Sequence, residues 1–250
     1  MCGVLEGYAP GYGQDAVSMM AARTAAERAA FARALVSPGM RVLDLGCGPG
    51  SITEDLAAGA HVVGVDAHLA ILPKKSTVDF IAGSAYALPF GAASVDVVFS
   101  HALFEHLAEP LAALEEVRRV LRPGGRLALS TSDWSRARVR PRSANVDAAL
   151  RGHYLLRRRA GGDPFAGRSI GALVARAGFT GISERARFRE DLPYRALATY
   201  VESRLATALS DPGHPDRDQL TSAARSAWSW VRTAGPGDFV QCWQELTATR

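Results

Sequence analysis

Between Val42 and Ser132 short apolar runs alternate with longer amphipathic stretches. That alternation predicts repeated strand–helix units and a parallel sheet. The runs RVLDLG (41–46), HVVGVD (61–66), VDFIAG (78–83), VDVVFS (95–100) and RLALST (126–131) read as strands. Their near-continuous Val, Leu and Ile suits strands covered by helices on both faces. Helices fit at 51–58 and 110–121, the second running into LRPGG, where proline and glycines stop it and turn the chain into the next strand. Ahead of the first strand, residues 14–36 hold strong helix formers with no Pro or Gly and predict one helix.

Past Asp133 the repeating unit breaks down. Residues 133–168 read as an insertion with a helix near 145–159; GRSIGALVARAGF then predicts a helix from Ser169 to Gly178, and TGISERARF a sixth strand. Beyond Leu192 the pattern is mostly helical, with Trp228, Trp230, Phe239 and Trp243 as bulk. The expected fold class is α/β: a doubly wound, mostly parallel sheet with an N-terminal helix, an insertion after the fifth strand and a helical C-terminal region. One domain over 1–250 accommodates this, divided into an N-terminal lid and helix (1–38), a core (39–132), the insertion (133–168) and a last strand with helices (169–250).

At 250 residues and 48% hydrophobic, the chain can bury a substantial core as one large domain. It has no run of 18 uncharged apolar residues, and MCGVLEGYAPGYGQD has neither a basic start nor a hydrophobic stretch before a cleavage site. The expectation is a cytoplasmic protein without a membrane partner. Cys2, Cys47 and Cys242 are odd in number and widely spaced, which implies neither a disulfide framework nor a zinc site, so no metal is expected. From Trp134 to Arg168 nine Arg face two Asp, while the net charge of the chain is only +4. Such clustering could meet an anionic substrate or RNA. It could equally be a solvated face, since Lys74 and Lys75 are the only lysines and surface charge is written as Arg.

The chemistry concentrates in VLDLGCGPGSIT (42–53). A strand ending in Asp44 and followed by Gly46, Gly48 and Gly50 lets the backbone turn sharply and lets a ligand lie against it. A dinucleotide fingerprint would need a third glycine at position 51, where this chain has Ser51. Asp44 also suits a ligand with an amino group or a cation better than a diphosphate.

VLDLGCGPG resembles the first motif of class I methyltransferases that use S-adenosylmethionine. Three further segments follow in order: GSAYALPF (83–90) is similar to the family's segment beside the adenine, VDVVFSHALFEHL to its fourth strand and active-site turn, and VLRPGGRLALS to the lead into its fifth. The branch resembled includes the ubiquinone and menaquinone biosynthesis methyltransferases and tailoring enzymes of bacterial natural products. The resemblance implies a Rossmann-like fold with seven strands, of which six can be placed, and S-adenosyl-L-methionine as cofactor. It implies cofactor contacts from Gly46, Gly48, Asp66, which can accept both ribose hydroxyls, Ala67, Ser84, Ala85 and the turn at Ser100, with Asp44 beside the loop and Tyr12, ahead of Tyr8, as a lid. Where relatives place Asp to hold the adenine amino group this chain has Ser84, a neutral bond in place of a charge-assisted one.

Methyl transfer is an in-line displacement, so the protein mainly aligns nucleophile, methyl carbon and sulfur and excludes water. If the acceptor must lose a proton, His101 and His106 after the fourth strand are candidate bases, His101 being favoured because open parallel sheets bind ligands at the carboxyl ends of their strands. Either can instead line or buttress the pocket. Trp134, Tyr154, Phe165 and Arg168 in the insertion supply aromatic surface and a cation for a planar or anionic small molecule, or else pack the insertion onto the sheet. SHAL after the fourth strand, in place of an NPPY-type sequence, shifts weight to oxygen or carbon acceptors. The expected partner is a small molecule and not nucleic acid, with a homodimer left open. An RNA methyltransferase using the Arg-rich stretch 136–159, a nicotinamide oxidoreductase and a cofactor-binding cyclase are the rivals, because sheet topology does not fix function.

Overall fold

A computed structural model describes residues 11, 13–56 and 59–250. Cys2, Tyr8 and Tyr12 lie outside them. The sheet contains β1 (Arg41–Leu45), β2 (His61–Asp66), β3 (Asp79–Ala82), β4 (Val95–His101), β5 (Leu121–Arg140), β6 (Thr180–Arg189) and β7 (Asp238–Thr249). Its order is β3-β2-β1-β4-β5-β7-β6. The pairs from β3 to β5 are parallel, whereas β7 runs antiparallel to both β5 and β6. The order reverses between β1 and β4, so the crevice beyond their carboxyl ends is where an open α/β sheet takes a ligand.

Alternation along the strands fills both faces. Leu43, Leu45, Val98, Leu127 and Leu129 pack against Leu114 and Val117 of α5 (Pro110–Val120) and Ile170 and Val174 of α7 (Ile170–Arg176). Val42, Val62, Val97, Phe99 and Ala128 pack on the other face against Ala25, Ala29, Ala32, Ile52 and Leu56. The six predicted strands and the helices at 110–121, 145–159 and 169–178 are present within a few residues.

Three expectations are corrected. Residues 14–36 do not form one helix but three pieces, α1 (Gln14–Ala21), α2 (Ala25–Arg28) and α3 (Ala30–Arg33). Thr24 restarts the chain by accepting the Glu27 N–H on its side chain, and Ala29 leaves helical geometry at φ −121°. The fifth strand does not end near Thr131. It continues to Arg140, slips register between Asp133 and Arg138, and forms with Asp238–Val240 a two-stranded ribbon that rises past the sheet. Nor is the C-terminal region simply helical. After α8 (Tyr194–Leu209) and α9 (Arg217–Thr233) the chain returns as β7 between β5 and β6. This seventh strand buries Gln241, Gln244 and Glu245 beside apolar neighbours, with Glu245 ion-paired to Arg185 and Arg189 of β6.

The ribbon carries a second core. Val139 and Phe239 pack with Val146, Ala149 and Leu150 of α6 (Ala144–Arg159), Leu197, Val201 and Leu205 of α8, and Leu220, Ala227 and Trp230 of α9. Gly152 permits the close approach of α6 and α9, since a Cβ there would lie 2.4 Å from that of Ala223. These helices form a cap. No helix among the described residues is long and apolar enough to cross a membrane.

Candidate functional site

The glycine loop follows β1 because its backbone must reverse within five residues. Gly46, Gly48 and Gly50 all take positive φ, at 75°, 55° and 81°. At Gly50 a Cβ would come within 2.4 Å of the Phe80 ring, which leaves no room for a side chain. The Gly46 and Cys47 N–H groups both donate to the Val65 carbonyl, tying the loop to β2. Asp66 closes β2 and accepts from the Gly48 N–H at 2.9 Å and the His68 N–H at 2.9 Å.

A cavity of about 490 Å³ opens over this loop. Asp44, Gly46, Gly48, Asp66, Ala67, Ser84, Ala85, His101 and His106 line it, together with Arg23 and Leu103. Ser100 does not line it. It is buried, and its hydroxyl donates to the Leu45 carbonyl at 2.9 Å, locking β4 to β1 beneath the site. The Ser84 hydroxyl accepts from the Tyr86 N–H at 3.2 Å. Asp44 is buried, accepts from the Thr53 hydroxyl at 2.7 Å, and has its carboxyl pushed up to about 7 by burial, against the lowering effect of Thr53. A cation beside it would favour the charged form. The fit to S-adenosylmethionine is chemical: two acids flank the loop, which suits an amino group, a sulfonium and ribose hydroxyls and disfavours a diphosphate. No cluster of residues that could hold a metal ion occurs among the described residues.

A second cavity of about 110 Å³ lies under the cap. It shares Met20, Arg23, Ala102 and His106 with the first. Its other walls include Glu105, Ser132, Trp134, Arg157, Asp191, Tyr200, Phe239, Gln241 and Trp243. Ala102 sits at the shared wall in the left-handed region, φ 57°, held by its N–H bond to the Ser130 carbonyl at 2.9 Å. Backbone strain of this kind persists where surrounding structure enforces it. Glu105 accepts from the Thr131 hydroxyl at 2.7 Å and the Ser132 N–H at 3.3 Å. Asp191 pairs with Arg28 at 2.7 Å and accepts from the Trp243 indole at 2.6 Å.

His101 is buried, packs at a tilt against Trp243 with ring centroids 4.6 Å apart, and both its ring nitrogens lack a hydrogen-bond partner among the described residues. Burial, reinforced by Arg23, Arg28 and Arg189, holds its pKa well below the ordinary value. His106 is shifted the same way by burial, then Arg157 and Arg23. Both imidazoles are therefore neutral near pH 7, but His106 lines both cavities and His101 only the first.

Of the four residues expected on the substrate side, Trp134 lines the second cavity. Tyr154 and Phe165 line neither; they pack edge to face at 5.2 Å, with Tyr154 in turn against Trp134 at 5.8 Å. Arg168 is exposed. Sequence reading missed Arg23, Arg157, Gln241 and Trp243. These residues come from α1–α2, α6 and β7, and only the closure of β7 onto β5 brings them together.

Residues 43–129 match the family described as Methyltransferase domain. The chain is 42% identical over 98 residues to the demethylmenaquinone methyltransferase of Renibacterium salmoninarum, covering 37% of this chain and 41% of that protein. It is 38% identical over 116 residues to the ubiquinone biosynthesis O-methyltransferase of Cereibacter sphaeroides, covering 41% and 47%. It thus spans less than half the length of these curated relatives. A solved phosphoethanolamine N-methyltransferase 2 of Haemonchus contortus, with S-adenosylhomocysteine bound, shares the fold at a TM-score of 0.57 and 19% identity, covering 90% of this chain and 52% of that one. Over residues 43–129 the fold, the glycine loop and the family match agree with a class I S-adenosylmethionine-dependent methyltransferase domain. The two curated matches are quinone methyltransferases, and S-adenosyl-L-methionine is the cofactor that these likenesses indicate.

Proposed function

We propose that this chain transfers the methyl group of S-adenosylmethionine to an oxygen or carbon atom of a small organic molecule held under the cap. The observation that carries the reading is the shared wall, where Met20, Arg23, Ala102 and His106 border both the cofactor cavity and the cavity beneath the helices. Bound in the first, the cofactor supplies an electrophilic methyl on sulfonium. Asp66 holds the ribose and Asp44 faces the positive end, while Gly48 and the strand ends exclude side chains from the ligand's path.

The acceptor approaches from the second cavity past Ala102, whose single methyl leaves the line of displacement open. His106, at the junction, is better placed than His101 to take a proton from the acceptor. His101 instead braces the floor against Trp243. Low dielectric makes either imidazole a reluctant base in the empty site, and an acceptor hydroxyl hydrogen-bonded to His106 supplies the compensation.

Purified protein incubated with S-adenosylmethionine carrying a labelled methyl and a small-molecule extract should place label in that extract. Label confined to RNA or protein would overturn the proposal. Ala102→Val should stop transfer, because the valine branches crowd the shared wall at a strained φ.

A further inference from the structure

We propose that the second cavity is a receptor for a small aromatic carboxylate, with Arg157 as the counter-ion of the carboxylate. This rests on the reading that the acceptor of methyl transfer occupies that cavity. Arg157 lies on α6, is only 6% exposed, and lines the cavity, yet its Nε and Nη2 have no hydrogen-bond partner among the described residues. A guanidinium does not lose its proton in a protein, so burial cannot be relieved by neutralisation. A buried cation without a partner is strongly unfavourable unless something else supplies the charge. The two carboxylates of the cavity are committed elsewhere. Asp191 is taken by Arg28 and Trp243, and Glu105 is held by Thr131 and the Ser132 amide, with no ion pair from either to Arg157.

The rest of the lining fits the remainder of such a ligand. The Ser132 hydroxyl is buried with no partner and can donate beside Arg157, while the Gln241 carbonyl oxygen is likewise buried and unpartnered and can accept from a ligand hydroxyl. Trp134, Tyr200, Phe239 and Trp243 supply ring surfaces for a planar body. The fork of guanidinium donors matches a carboxylate bidentately, which a neutral amide or ester cannot reproduce. The field of Arg157 is felt around it: it contributes to holding His153 down at about 3, after burial, and is the largest charged contributor to the lowering of His106.

The test uses the intact protein saturated with S-adenosylhomocysteine and titrated, by tryptophan fluorescence and calorimetry, with 2-hydroxybenzoate and cinnamate against their neutral amides, and with inorganic phosphate. Each acid should bind at least tenfold more tightly than its amide, and phosphate should not compete. Arg157→Gln should abolish that preference, Arg157→Lys should retain part of it, and Arg151→Gln, a change at an exposed position of the same helix, should leave it intact. Equal binding of acid and amide by the unaltered protein, absence of binding by both acids, or a preference surviving Arg157→Gln would each overturn the assignment. Should Arg157→Gln not fold, the acid and amide comparison and the Lys variant decide. Binding of S-adenosylhomocysteine is measured first: its loss counts against the methyltransferase reading itself, whereas its retention with indifferent acids counts against the carboxylate site alone.

Discussion

The two cavities of the molecule are built by opposite means. Over the sheet, the cofactor cavity is built from glycine backbone and two acids, Asp44 and Asp66, all within 23 residues of one another along the chain. Under the cap, the second cavity is lined by arginine and aromatic side chains contributed by segments more than 200 residues apart, from Arg23 to Trp243. A ligand gripped by backbone can be read from a short motif. One gripped by side chains from distant elements cannot.

The comparison breaks most visibly through the cap's own core. Trp230 is 2% exposed and stands among Tyr194 and the α8–α9 contacts. Trp230→Ala should cost about 3–5 kcal/mol of stability by denaturant unfolding. If the halves are separable, the variant that still folds should keep its affinity for S-adenosylhomocysteine while losing acceptor turnover. On the sheet side, Asp66→Ala removes a carboxylate placed for ribose hydroxyls. It should weaken cofactor binding by about 2–3 kcal/mol, roughly 30- to 150-fold by calorimetry.

The halves should also answer pH with opposite signs. Asp44 holds its proton up to about 7 in the folded protein but only to 3.8 when unfolded. Its contribution to stability therefore falls as pH rises between those values, and Asp44→Asn should remove a slope of at most about 1.4 kcal/mol per pH unit. His153 in the cap is held at about 3 against an ordinary 6.5. Its contribution is complete above 6.5 and is lost as pH falls toward 3, so His153→Gln should remove a slope of the other sign. Urea titrations of each variant from pH 4 to 7 distinguish the two. The smallest effect is expected at the adenine end, where Ser84→Asp should tighten S-adenosylmethionine by about 1 kcal/mol, roughly fivefold, as a charge-assisted bond replaces a neutral one.

How much could be read in advance follows the same division. Strands β1 to β4 and the first part of β5 announced themselves because their Val, Leu, Ile and Phe fall in short runs between polar residues or glycines. β7 did not, because its interior positions include the buried polar groups Gln241, Gln244 and Glu245, the last two held by partners on β6; Glu245, for example, meets Arg185 at 2.7 Å. The ribbon half of β5 was equally hidden, since RARVR sets three arginines around Ala137 and the buried anchor Val139. The break in residues 14–36 turned on a capping threonine within a run of good helix formers. Arg157 looked like one of three consecutive basic residues, and only the packing of α6 against the cap separates it, buried, from its exposed neighbours Arg158 and Arg159.

The position of β7 carries a consequence for how this architecture diversifies. Helices α6, α8 and α9 hang from the sheet by connections that leave β1 through β4 untouched, so new acceptor chemistries can be explored by exchanging them wholesale. β7 is the exception, because Trp243 presses on His101 in one chamber while forming the wall of the other. Change there is felt by both ligands at once, and that strand is where a shift in acceptor must be reconciled with retention of the methyl donor.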